Sequence, residues 1–450
     1  MSDISIADYL NQLVTDKATL VSNLQAKGVS LTGDETFTEI APAINTLPAP
    51  YAPKFVSFYN YPGTYNDLMS DMTTLNMASI IQAPQIYPLN FDINGLNLGS
   101  IWSNNPSMTS TADMFSRRLK NYQYSNDRLK GVVTLNNFDM SHVTNMSYMF
   151  YNCEYVTEID MGNCSATNVD LSYAFALCSR LTTMDLGTWC PKVAKDSSNR
   201  VLWYTFGNMN VSGSGLVSEL DVTNLKDSLV DLTGTVNVVD TFRNTYIDKI
   251  KGLNLWKSNP NVDQFNMDSM FYGSRVSEVD FSALKPHNCS CDSLFNTCPR
   301  LTKVVLPDFS FRGNGSCFAM FASNTSLTDV DLSNWDTSKV STFQYMFSNC
   351  SALTTLDLST FTVRVGGTFS SVNQMFVGCV NLRHLDLRSF RFDRIPNSAY
   401  PGRMFGTTDG AVTIPTDCEI IVEDDTQKTW MNTKYPTLTN VKTVAEYEAT

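Results

Sequence analysis

The chain has 450 residues, 43% apolar and only 17% charged, which is enough apolar content for an extended core under a surface made largely of Ser, Thr and Asn. A formal charge of −12, with no basic run longer than Arg117-Arg118, argues against nucleic acid and anionic lipid as partners. No stretch approaches the roughly 18 apolar residues of a membrane span, the start lacks the pattern of an export signal, and the three histidines fall in no nucleophile–base or zinc-helix arrangement, so no enzyme is expected.

At the start of the chain, Ile6, Leu10, Leu13, Leu20 and Leu24 fall at helical spacing over residues 4–27, without Pro or internal Gly, and Gly28 ends the helix. A second, shorter helix is predicted from the Asp34 cap through Phe37, Ile40, Ile44 and Leu47 to Pro48. Neither is long enough to stand alone, so residues 1–47 must pack on each other, on copies of the chain in a dimer or trimer, or on a larger assembly. Residues 48–110 read as a linker and N-terminal cap, a Pro-rich hinge leading into an aromatic run from Tyr51 to Tyr65.

Residues 111–405 repeat one unit. The anchors Phe115, Phe150, Phe175, Phe206, Phe242, Phe271, Phe295, Phe321, Phe347, Phe376 and Phe405 recur every 24 to 36 residues, 29 on average, and the best units follow the anchor with Leu-x-x-Leu-Asp-Leu. That is leucine-rich-repeat length, too short for a helical pair. Leu356 with Leu358, and Leu385 with Leu387, alternate at period two and predict short strands with both leucines inward. A single unit cannot bury its own apolar edge, so the fold class is an α+β repeat: a solenoid of stacked short parallel strands after a small helical module. Its core should include Phe150, Phe175, Phe295, Phe321, Phe347 and Phe376, and eleven coils would span about 50 Å. The units between Phe175 and Phe271 lengthen and lose the repeated cysteine, so they are expected to bulge from the stack. Residues 406–450, with Ile420-Ile421-Val422, Trp430, Tyr435 and Val441, read as the C-terminal cap.

Five of the eleven cysteines, Cys153, Cys178, Cys298, Cys350 and Cys379, sit three residues after an anchor Phe. Recurrence at one slot marks packing, so buried free thiols are expected rather than disulfides or a zinc site at Cys289, Cys291, Cys298 and His287. An outward carboxylate also recurs, at Asp160, Asp185, Asp221, Asp280, Asp331, Asp357 and Asp386. Solvated or hydrogen-bonded aspartates are the expected reading, calcium along the stripe the lesser one, and no cofactor is required. Trp335, Tyr345, Phe361, Arg383 and Arg391, at outward positions of the best-preserved repeats, are the expected ligand-contact residues.

The stretches Phe138-Asp139-Met140-Ser141 to Met149-Phe150-Tyr151-Asn152-Cys153, and Asp331-Leu332-Ser333 through Trp335-Asp336-Thr337-Ser338 to Met346-Phe347, resemble the BspA-like leucine-rich repeats of bacterial surface proteins. The phrase Ala26-Lys27-Gly28-Val29, then Thr32-Gly33-Asp34-Glu35-Thr36-Phe37 and Ile44, is similar to a module that opens many bacteriophage tail, fibre and other virion-attached proteins. Together the resemblances imply a bacteriophage virion appendage, assembled in the host cytoplasm. Residues 1–47 would dock on other virion proteins, and the solenoid, as a homo-oligomer on the particle, would meet host-surface glycan or protein. The alternatives are a bacterial surface adhesin of the BspA-like type and an architectural subunit bridging virion proteins.

Overall fold

Each Leu-x-Leu run becomes a short strand because its two leucines can be buried only if the neighbouring coil supplies the facing surface. The computed structural model describes residues 141–449, apart from 163–167, 210–216, 363–370 and scattered positions of one or two residues. Before them it describes only Ser22, Thr111 and the backbone strands Leu96–Asn97 and Lys130–Thr134. The predicted N-terminal helices, with Ile6, Leu10, Leu13, Leu20, Leu24, Phe37, Ile40 and Ile44, lie outside the described residues, as do the aromatic run 51–65 and Phe115.

Every named strand pair is parallel. One strand column holds the Leu-x-Leu runs. Thr355–Asp357 pairs with His384–Asp386 so that Leu356 faces Leu385 and Asp357 faces Asp386, and Glu419–Val422 and Val441–Thr443 continue that sheet. Upstream in the same column stand Glu278–Asp280, Lys303–Val305 and Asp329–Asp331, then Val217–Asp221 with Ile247–Lys251, and Tyr155–Asp160 with Thr183–Asp185. A second column is built from Thr235–Asn237, Gln264–Asn266 and Cys289–Ser290, with Gly315–Ser316 and Val340–Thr342 beyond. The molecule is therefore the expected repeat solenoid, with two strands per coil where both columns are regular.

Anchor phenylalanines form the spine between those columns. From Phe150 to Phe405 each ring stacks on the next at centroid separations of 5.1–5.9 Å and interplanar angles of 4–21°. The coil rise stays close to strand spacing because each anchor N–H from Phe150 to Phe376 also donates to a carbonyl of the following coil, as from Phe347 to Met375 at 2.9 Å and from Phe376 to Met404 at 2.9 Å. Phe150, Phe175, Phe295, Phe321, Phe347, Phe376, Leu356, Leu358, Leu385 and Leu387 are all buried in one cluster running from Val143 to Val441. The bulge expected between Phe175 and Phe271 is absent from the spine: Phe206 and Phe242 stack at 5.2 Å, Phe242 and Phe271 at 5.1 Å. Among the described residues, extra length there folds into the 3-10 turns Thr223–Leu225 and Leu253–Leu255, which bury Leu225 and Leu253.

Each anchor from Phe150 to Phe376 is flanked two residues before and two after by a left-handed residue, as at Tyr345 and Asn349 around Phe347, or Ser293 and Thr297 around Phe295. This alternation turns the backbone tightly enough for the ring to enter the core while the residues beside it face out. Left-handed backbone costs a residue with a Cβ about 1–2 kcal/mol. The position after the anchor is accordingly Asn152, Asn208, Asn244, Asn349, Gly273 or Gly378 in most coils. Gly378 has a further reason: a Cβ there would lie 2.2 Å from Asn349 Oδ1. Thr297, β-branched and exposed at φ 59°, is the poorest fit. Thr297→Asn is expected to stabilise the protein by about 0.5–1 kcal/mol, read as a higher urea midpoint. A midpoint that stays put or falls would show that the turn carries no such strain.

The C-terminal end closes the stack. Helix α1, Asp425–Lys434, is capped by the Asp424 carboxylate accepting from Gln427 N–H, and it buries Gln427 and Met431. Gln427 Oε1 accepts from Phe392 N–H at 2.8 Å, which pins the helix to the last turns of the solenoid. Tyr435 then meets Phe405 edge-on at 4.9 Å and ends the run of rings. Its hydroxyl donates to the Pro401 carbonyl and accepts from Met404 N–H at 2.9 Å, and burial pushes the phenol pKa well up.

Candidate recognition face

Of the five residues expected to contact a ligand, two belong to the core. Trp335 is 3% and Phe361 0% exposed, and they stack on each other at 6.2 Å. Both lie three residues after the leucine that ends a strand run, Leu332 or Leu358, and Trp335 N–H donates to Leu332 O and Phe361 N–H to Leu358 O, a tight turn that swings the ring back inward. Phe390 after Leu387 and Trp189 after Leu186 do the same. The other three sit in separate settings. Tyr345 is half-buried with its ring edge-on to Phe318 at 5.7 Å, Arg383 is exposed, and Arg391 pairs with Asp393 at 3.0 Å.

The aspartate stripe is a set of turn acceptors. Oδ1 of Asp160, Asp221, Asp280, Asp331, Asp357 and Asp386 accepts the backbone N–H two residues on at 2.8–3.0 Å, bending the chain out of the strand. The Ser333 hydroxyl and N–H hold the Asp331 carboxyl below the usual carboxylate range. The ladder is broken in register: Asp160 faces Asp185 and Asp357 faces Asp386, but Val305 stands between Asp280 and Asp331, and Asp221 faces Lys251, which bonds it at 2.7 Å. Arg388 also binds Asp386 through both carboxylate oxygens. Among the described residues no three His, Cys, Asp or Glu side chains converge as metal ligands.

The cysteine slot has a comparable internal use. Cys178, Cys298, Cys350 and Cys379 donate Sγ–H to the anchor carbonyl of the preceding coil, at Phe150, Phe271, Phe321 and Phe347, over 3.0–3.2 Å. Thr245 makes the same bond to Phe206 with its hydroxyl at 2.5 Å. Burial pushes the Cys178, Cys298 and Cys379 thiols up to about 12, so they are poor nucleophiles and poor metal ligands. All nine described cysteines are buried, and Cys178, Cys298, Cys350 and Cys379 keep free thiols.

What the outer surface does gather is an aromatic platform. Tyr148, Tyr173 and Tyr204 occupy the left-handed position two residues before successive anchors, so they rise one above another as the coils do. Tyr148 and Tyr173 stack at 4.7 Å and 7°, and Tyr173 and Tyr204 lie 5.1 Å apart at 31°. Tyr151 stands edge-on to Tyr148 at 5.3 Å, and Trp203 edge-on to Tyr173 at 4.8 Å. All five are half-buried. Burial first, then the neighbouring Tyr148 and Tyr204, push the Tyr173 phenol up to about 12, so the hydroxyl stays protonated as a donor. Gly207 makes room for the Tyr204 ring, since a Cβ there would lie 2.3 Å from it. A bulky ring is costly in left-handed backbone, where other coils place Ser269, Ser293 or Ala319. Strain of this kind collects at functional positions. The sequence did carry a signal for the platform: the Tyr recurring two residues before Phe150, Phe175, Phe206 and Phe347.

Among the described residues no helix is long and apolar enough to cross a membrane. Residues 118–214 and 289–408 match the sequence model of a family described as Mycoplasma protein of unknown function, DUF285. The platform lies wholly within the first matched segment, and the spine passes through the interval 215–288 without a break. No curated protein matches the chain.

Proposed function

We propose that the protein is a recognition rod: a virion appendage of tail or head type whose residues 1–47 dock on other structural proteins and whose solenoid meets a host-surface glycan or protein. The observation that carries the recognition role is the aromatic platform, five rings held half-exposed by coils whose inner faces are committed to packing. A repeat array presents such side chains on one face and can vary them without touching the spine. Several copies on one particle would share an effective concentration, so modest single contacts suffice for firm attachment. The docking role rests on the resemblance of the first 47 residues to virion-attachment modules.

A second reading, a bacterial surface adhesin with BspA-like repeats, is favoured by the match to a family described from Mycoplasma. The two separate in one experiment. Deleting residues 1–47 is expected to abolish incorporation into particles while the purified remainder still binds cells. Incorporation at the full-length copy number would refute the docking role and leave the adhesin reading in place.

A further inference from the structure

The recognition role leaves the ligand class open, and the way the rings are arranged narrows it. Resting on that role, we infer that the platform of Tyr148, Tyr151, Tyr173, Trp203 and Tyr204 binds an extended polypeptide segment bearing apolar side chains, not a glycan.

A sugar ring is held by laying its C–H face on a bare aromatic face. Here the stacked tyrosines turn faces toward one another. Tyr173 lies between Tyr148 of the preceding coil and Tyr204 of the following one. The Arg200 guanidinium covers Trp203 at 3.3 Å from the ring centroid, and Tyr173 meets the same indole at 72°. Nor is Arg200 an anion receptor for a sulfated or sialylated sugar, because its Nε is bonded to Asp196 at 2.6 Å. Further along the outer surface, Arg243 lies over Tyr272 at 4.3 Å and is bonded to Asp240 at 2.9 Å, so that cation is also occupied.

The surface offered to a ligand is rich in ring edges and phenolic hydroxyls. Ring edges are the electropositive part of the aromatic quadrupole and hydroxyls donate hydrogen bonds, so both suit main-chain carbonyl oxygens. The ring flanks give aliphatic side chains something to cover. Tyr, Trp and Arg are the residue types that dominate protein-binding hot spots, and tyrosines do so at low entropic cost because only two side-chain angles need fixing. In this protein mutual stacking has already fixed them, so the platform is preorganised.

The test uses the full chain against two defined probes: a displayed library of random peptides and a printed array of saccharides. Wild type, Tyr151→Ala and Trp203→Ala are compared, after circular dichroism and urea midpoints have established that the variants fold. Tyr173→Phe, which keeps the stack and removes one hydroxyl, provides a variant that tolerates the core. We expect enriched peptides with apolar side chains that bind each alanine variant at least tenfold more weakly, and the phenylalanine variant several-fold more weakly. Enriched peptides indifferent to all three substitutions would overturn the inference. Saccharides bound in a Trp203-dependent way would also overturn it while leaving the recognition role intact, whereas no ligand from either probe would sink both.

Discussion

Phe347→Ala should cost about 3–5 kcal/mol, the range for deleting a fully buried aromatic ring. Phe347 is 0% exposed and is sandwiched between Phe321 at 5.4 Å and Phe376 at 5.9 Å. The cavity cannot collapse readily, because the anchor N–H bonds and the strand pairs fix the coil rise on both sides. The loss should appear as a large drop in urea midpoint. The transition should also broaden, since in a linear array each coil is coupled only to its neighbours and a weak interior coil uncouples the two halves. Phe318→Ala is the control: that ring is 38% exposed on the outer surface, so the change should stay within about 0.5 kcal/mol. Equal effects at the two positions would contradict a single stacked spine.

The second large effect is expected at the far end. Tyr435→Ala removes the ring that closes the spine on Phe405, and should likewise cost about 3–5 kcal/mol. Tyr435→Phe separates packing from hydrogen bonding. It keeps the ring but leaves the Pro401 carbonyl and the Met404 N–H without their buried partner, at a cost of about 1–3 kcal/mol. Chemical denaturation of both variants measures the split. If Tyr435→Phe proved as damaging as Tyr435→Ala, the hydroxyl and not the ring would be what holds the cap.

Period carried most of the architecture into the sequence. Anchor Phe and Leu-x-Leu positions are legible because each must be buried by its neighbour, and a buried position repeats its chemistry from coil to coil, as the Cys slot does. The second strand column was harder to see: Gln264–Asn266 and Gly315–Ser316 are short, and backbone bonds between coils hold them more than any side-chain pattern. Trp335 and Phe361 misled because three residues beyond the last leucine looks outward by simple alternation. A hydrogen-bonded turn resets the direction there, and only its recurrence at Phe390 and Trp189 gives it away. The platform was obscured for the opposite reason. Tyr148, Tyr173 and Tyr204 are 25 and 31 residues apart, and nothing local says that these distances become 4.7 and 5.1 Å once the coils stack.

The bond from the slot thiol or hydroxyl of Cys178, Thr245, Cys298, Cys350 and Cys379 to the anchor carbonyl behind it makes those coils connectors with the same plug and the same socket. Cys379 fits the carbonyl of Phe347 just as Cys350 fits that of Phe321, so inserting or excising one whole unit between them leaves matched ends on both sides. Reach can thus change by whole units during descent, through in-frame duplication or loss of about thirty codons. Partial units, which would leave a plug facing no socket, are the lengths such a lineage should lack.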